Sequence, residues 1–150
     1  MQLRLVTSFS KSVIKKPKTV KLILYFNDGQ HPDGFGTNVE LYKFLAEGGE
    51  TPEGRTVPAR NAFAQWKASE SSAIKSAVLA SSAFERWAHG EEADWSGITE
   101  TLLQMFQSWV REGNVQPANA ARTVQIKKSA IPLVDSGALI INGLSTRVIK

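Results

Sequence analysis

The chain has 150 residues and no cysteine, so disulfides and thiolate zinc sites are excluded. Its residues are 42% hydrophobic and 21% charged, an ordinary globular composition, and no apolar run approaches the roughly 20 residues that cross a bilayer. The net charge of +4 is unevenly spread: residues 1–27 hold six basic and no acidic side chains, residues 28–112 seven basic and thirteen acidic, residues 113–150 five basic and one acidic.

One domain is expected at this length. Met1-Gln2-Leu3-Arg4-Leu5-Val6 lacks a long apolar core and a small-residue cleavage site, so a signal peptide is not expected. The charge division has three readings. It is a basic patch where the termini meet, a complementarity between neighbouring subunits, or a nucleic-acid contact. The third is weakened because Lys11 to Lys21 has few interleaved aromatics for base stacking.

In chain order, residues 1–18 read as an N-terminal arm and 19–150 as a single α+β domain. Residues 3–9 alternate weakly, as a strand or an arm. Thr19 to Phe26 is the strongest strand, with Leu22, Leu24 and Phe26 on one face. Asn27-Asp28-Gly29 and Pro32-Asp33-Gly34-Phe35-Gly36 are turn chemistry. Asn38 is expected to cap a short helix through Ala46 that presents Leu41, Phe44 and Leu45 and stops at Gly48. Residues 49–59 read as a surface loop.

The middle of the chain predicts two helices, about 61–88 and 96–112. In the first, Phe63, Trp66, Ile74, Ala77, Val78, Phe84 and Ala88 recur at helical spacing, with no Pro or Gly inside. In the second, Asp94 or Ser96 is the cap and Ile98, Leu102, Met105, Phe106, Trp109 and Val110 form the apolar face. Gly113-Asn114 ends it. Val115 to Ala121 reads as an exposed excursion. Thr123 to Lys127 is either a short strand or a helical turn. Asp135-Ser136 caps a turn beginning near Ala138, and Ser145 to Ile149 is a strand beside Val20 to Phe26. The expected fold is α+β: a small antiparallel or mixed sheet with the two helices packed on one face.

Catalytic chemistry leaves little trace. His31 and His89 are expected to face solvent, since a metal site needs more converging ligands. No Gly-x-Ser-x-Gly elbow nominates a serine, although a dispersed triad needs no sequence adjacency. No phosphate cradle or cofactor box is present. No metal, cofactor or catalytic residue is assigned, and no enzyme activity is expected. Trp66, Trp87, Trp95 and Trp109 read first as core indoles, with Trp87 and Trp95 the better candidates for a subunit interface. Arg60 is either a loop residue or a planar fork for a neighbour's carboxylate. Asp135 is either a helix cap or an interface partner.

Two blocks carry a resemblance. One is Val57-Pro58-Ala59-Arg60-Asn61-Ala62-Phe63. The other runs from Thr123-Val124-Gln125-Ile126-Lys127 through Ile131-Pro132-Leu133-Val134-Asp135-Ser136-Gly137-Ala138-Leu139. Together with the strand at 20–26, the His31-Pro32-Asp33-Gly34 turn and Ala46-Glu47-Gly48-Gly49, they resemble the tail-completion and virion-morphogenesis proteins of tailed bacteriophages, relatives of the lambda-like minor tail protein Z. The order fits from about Val20 to the C-terminus. Asn61 departs from a usual second Pro, and Gly48 from a common aromatic.

The resemblance implies a structural virion protein at the neck or tail end, assembled in the host cytoplasm. It implies a ring, expected to be a hexamer, that completes the tail and joins it to the head connector. Partners would be other copies, connector or adaptor proteins and tail terminator or tube proteins. DNA would pass through the lumen without sequence recognition, and no membrane is involved. The expected interface residues are Arg60, Trp87, Trp95, Lys127 and Asp135. Pro58, Phe63, Pro132, Leu133, Gly137 and Leu139 are the expected structural motif. The arm and the loops at 27–37, 48–59 and 114–122 are the natural reaching segments. A small basic nucleic-acid-binding module is the alternative function, and a hydrolase with a concealed triad stands behind it.

Overall fold

The computed structural model describes residues 2–9, 18–127, 131–133 and 138–150, with the backbone alone at 2–9, 18, 126 and 127. In chain order the elements are β1 (Gln2–Phe9), β2 (Lys18–Phe26), α1 (Asn38–Glu47), β3 (Gly49–Glu50), β4 (Thr56–Val57), α2 (Ala62–Leu79), α3 (Ser82–Ala88), α4 (Ser96–Arg111), α5 (Ala121–Lys127), α6 (Ala138–Asn142) and β5 (Leu144–Ile149). The fold is α+β. β2 is the central strand of a three-stranded sheet ordered β1-β2-β5, and both of its neighbours run antiparallel to it. Residues 2–9, within the stretch read as an arm, pair along β2 from Gln2↔Tyr25 to Phe9↔Lys18.

The strand alternation decides which face is buried. Val20, Leu22, Leu24 and Phe26 are each under 5% exposed and enter the main core, as period-two patterning requires. α4 supplies the opposing stripe: Ile98, Leu102, Phe106, Trp109 and Val110 are all buried. Aromatic rings join the layers. Phe26 stacks on Tyr42 of α1 at 4.1 Å, Phe63 of α2 stacks on Phe106 at 4.6 Å, and Trp66 meets Phe106 edge-on at 5.3 Å.

The expected helix over 61–88 is divided. Asn61 caps its start by accepting the Ala64 N–H. α2 then ends at Ala80, and Ser81 caps α3 by accepting the Phe84 N–H. Helical phase explains the break. Continued straight, residues 83 and 87 would lie about 200–240° around the axis from Phe63, facing away from the core. The interruption turns that face inward, so Ala83 and Trp87 are buried while Phe84 and Ala88 are only partly covered. The uninterrupted period put Phe84 and Ala88 inside; the inward positions are shifted by one residue.

Other local expectations also shift. Thr37, not Asn38, caps α1: its side chain accepts the Glu40 N–H and the Glu40 carboxylate accepts the Thr37 N–H. The Thr37 N–H and, after it, the Thr37 hydroxyl donate to the Glu40 carboxylate and hold it below the usual carboxylate range. Asn38 is freed to turn inward, where its amide donates to Asn27 Oδ1 at 2.8 Å. Gly48 does stop α1, with φ 72 and its N–H on the Phe44 carbonyl. At α4 the N-cap position falls on Trp95, not Asp94 or Ser96, and has no side-chain cap bond; the Asp94 carboxylate accepts the Ser96 N–H at 2.9 Å just before it. The loop expected at 49–59 holds a two-stranded hairpin, β3 with β4. The stretch left open at 123–127 is helical, within α5.

Asn27 fastens the end of β2 to the elements around it. Its N–H donates to the Gly143 carbonyl, and its amide donates to the Asn142 carbonyl and Ser145 Oγ. Gly143 is required by close approach, since a Cβ there would sit 2.5 Å from the Leu139 carbonyl oxygen. The turn between α6 and β5 is thus fixed against the start of α1.

Candidate functional site

A cleft of about 500 Å³ opens where the loop after β2, α1, the β3–β4 hairpin, the 117–123 segment and residues 131–133 and 138–139 approach one another. Its described walls are largely apolar: Leu41, Phe44 and Leu45 from α1, Val57 and Pro58 from β4 and beyond, Ile131, Pro132 and Leu133, and Leu139 of α6. Phe35 stands at the rim. It is 51% exposed and rests on Phe44 with ring centroids 5.4 Å apart. His31 Nδ1 lies 2.7 Å from Asp33 Oδ1, and both residues line the cleft. The His31 side chain is only 8% exposed, so the solvent-facing placement expected for it is corrected; the turn folds it back beside Asp33. His89 is exposed, as expected.

Arg60 is the cleft's main polar anchor. It is 6% exposed, and its Nε and Nη2 donate to the carbonyls of Pro117 at 2.6 Å and Ala118 at 3.2 Å. Burial pushes its pKa below the ordinary guanidinium value. The Arg60 fork thus closes on this chain's own backbone. Gln65 assists through a reciprocal pair, donating to the Gln116 carbonyl at 2.7 Å and accepting the Gln116 N–H at 2.8 Å. With Val115 fully buried, the stretch read as an exposed excursion is anchored against α2, and the Gln116–Pro117 peptide is cis.

Directly behind Arg60, Asn61 and Phe63 connect the cleft to the core. The Phe63 N–H donates to the Tyr42 hydroxyl at 3.1 Å, and that hydroxyl donates to Asn61 Oδ1 at 3.3 Å. Tyr42 is fully buried, and burial pushes its phenol up to about 12. Leu133 adopts φ 66. For a side chain with a Cβ this left-handed conformation costs about 1–2 kcal/mol, and such strain is characteristic of sites that the surrounding structure over-determines.

Of the expected motif residues, Pro58, Pro132, Leu133 and Leu139 all line the cleft, while Phe63 lies in the core next to it. Pro58 is exposed and Pro132 buried. Gly137 and Asp135 fall outside the described residues. Lys127 ends α5, and its side chain is not among those described. Trp87 and Trp95 are 8% and 3% exposed and meet edge-on at 6.4 Å inside the chain's own core. The indoles were read as interface anchors because they flank an acidic loop; α3, tilted by the break at Ser81, instead carries Trp87 onto Trp95.

Sequence reasoning missed Phe35, Phe44 and the Pro117–Ala118 wall. Phe35 did leave a signal, as an aromatic between Gly34 and Gly36 in a turn where no core pattern explains it. The Arg60 contacts left none, because they are made to backbone atoms 57 and 58 residues away. Among the described residues no group of three or more His, Cys, Asp or Glu side chains is placed to hold a metal ion. None of the described helices is long and apolar enough to cross a membrane. The cleft's chemistry suits an apolar segment. Comparison with protein families, with curated proteins and with solved structures finds no match to this chain.

Proposed function

We propose that the chain is a structural virion subunit of a tailed bacteriophage. It assembles as a ring, most simply a hexamer, at the neck or tail end around the DNA passage, where it completes the tail and joins it to the head connector. The observation that supports this reading is the meeting of the two signature blocks. Pro58 and Arg60 come from one, Thr123, Pro132, Leu133 and Leu139 from the other, and all line a single cleft. Residues that recur together because they make one binding surface are expected to converge in this way.

The ring reading is tested on particles made without this protein. Negative-stain images are expected to show DNA-filled heads without tails beside full-length free tails. Normal particles in its absence would overturn the reading. Duplex DNA binding by the isolated chain that falls steeply with salt would favour the nucleic-acid module instead.

A further inference from the structure

Arg60 carries a buried positive charge that the described residues do not neutralise. It is 6% exposed. The ion pairs among the described residues are His31–Asp33 and Arg86–Glu91, and neither includes it. Its two hydrogen bonds go to neutral backbone carbonyls, from Nε to Pro117 and from Nη2 to Ala118. Burial lowers its pKa, and no described carboxylate acts in the opposite sense. A cation held in an apolar wall by dipoles alone is costly, and an opposite charge brought to it removes that cost.

The planar group shows which edge is left. Nε and Nη2 lie on one side of the guanidinium and serve the Pro117 and Ala118 carbonyls. Two N–H groups on Nη1 and one on Nη2 remain. The pair at the far end runs parallel, at the spacing of a carboxylate's two oxygens. Nη1 is not sealed from solvent, and Arg60 lines the cleft.

The charged groups of the described lining are Arg55, Arg60 and Asp33, beside the titratable His31. Asp33 is engaged within its own turn, by His31 Nδ1 at 2.7 Å and by the Phe35 N–H at 2.9 Å. Two arginines against one aspartate leave the lining net positive.

We propose that the cleft binds a small apolar carboxylate, with its two oxygens on the Nη1–Nη2 fork of Arg60 and its hydrocarbon body along Leu41, Phe44, Leu45 and Leu133. A volume of about 500 Å³ is in the range of small-molecule sites. A phosphate fits less well, because its third oxygen and second charge call for a glycine-rich cradle of N–H groups that the sequence lacks. An acidic peptide also fits less well. Each of its residues would carry an N–H and a C=O along walls built mainly of Leu, Phe, Val, Ile and Pro. The inference stands apart from the virion reading and does not draw on it.

The test titrates the 15N-labelled full chain with octanoate and with octan-1-ol, followed by NMR at neutral pH. Octanoate is expected to bind about tenfold more tightly, since only the acid forms the charge-assisted fork. Its strongest shifts should fall on the Arg60 Nε–H and on the amides of Phe44 and Leu133. Bound acid should also slow amide exchange across 114–120, because it neutralises the group that fastens that segment. Arg55→Gln, at an exposed residue, should change the affinity by less than about threefold. Arg60→Met, checked for folding by circular dichroism, should erase the acid's advantage. Equal affinity for acid and alcohol overturns the proposal. So do shifts centred outside the cleft, or an advantage that survives Arg60→Met. If Arg60→Met does not fold, the ratio of acid to alcohol affinity and the position of the shifts decide on their own. The two proposals fail separately: normal particles without the protein would sink the virion reading alone, and equal binding of acid and alcohol would sink this site alone.

Discussion

The molecule has two centres built on opposite principles. Around Phe26, Phe63, Trp66 and Phe106 the packing comes from regular elements whose side chains repeat at the period of a strand or a helix. Around the cleft the walls come from a turn, a two-residue hairpin and irregular segments, held by side-chain bonds to backbone. The first is stabilised by removal of apolar area from water. The second is held in shape by a few directed contacts, and it keeps an apolar surface partly open. A surface of that kind is disposed to bind, because its burial is left for a partner to complete.

The largest expected effect lies in the first centre. Trp66→Ala removes an indole that is 1% exposed and should cost about 3–5 kcal/mol in urea unfolding. A loss below 1 kcal/mol would mean the aromatic cluster is not the principal core. Next comes the tie between the centres. Arg60→Met leaves the Pro117 and Ala118 carbonyls without their donors and should cost about 2–3 kcal/mol. The change should appear as faster amide hydrogen exchange across 114–120, ahead of the sheet, and Arg60→Lys should not rescue it, since an ammonium lacks the planar fork.

Tyr42 sharpens the comparison through pH. Burial raises its folded pKa to about 12 from the ordinary phenol value of 10.0, so the folded state holds the phenolic proton more tightly. The associated stability is fully present below pH 10 and is lost as pH rises from there through the folded pKa, up to about 2–3 kcal/mol. Urea titrations between pH 9 and 12 should show that decline, and Tyr42→Phe should flatten it while costing about 1 kcal/mol at neutral pH. The smallest stability effect is expected at the cleft rim. Phe35→Ala should change unfolding by about 0.5 kcal/mol or less, yet it should reduce association between copies, as read by sedimentation velocity. A large loss of stability with unchanged association would invert the proposed division of labour.

Legibility followed the same division. β2, α4 and β5 could be read because a buried face repeats every two residues or every three to four, and Leu22 or Phe106 announces it locally. The break at Ser81 could not be read, since no Pro or Gly marks it and serine caps only by turning its hydroxyl onto the Phe84 N–H. Thr37 displaced Asn38 as the cap because Glu40 completes a reciprocal pair with it, while the short amide of Asn38 had a better partner in Asn27. At the cleft, Pro58, Pro132, Leu133 and Leu139 were recognisable as a pattern but not as neighbours. Nothing in 57–63 indicates that it shares a cleft with Ile131, Pro132, Leu133 and Leu139. The burial of Arg60, Trp87 and Trp95 was illegible for a related reason: a residue type suited to interfaces is equally suited to a small core, and only the tertiary path separates the two.

The succession Arg60, Asn61, Phe63 carries a mechanical corollary. One side chain rivets the 117–118 wall, the next begins α2, and the third is wedged among the aromatic rings. Tension applied to that wall is handed within four residues to the aromatic core. A pull there would load the whole fold rather than peel off a loop.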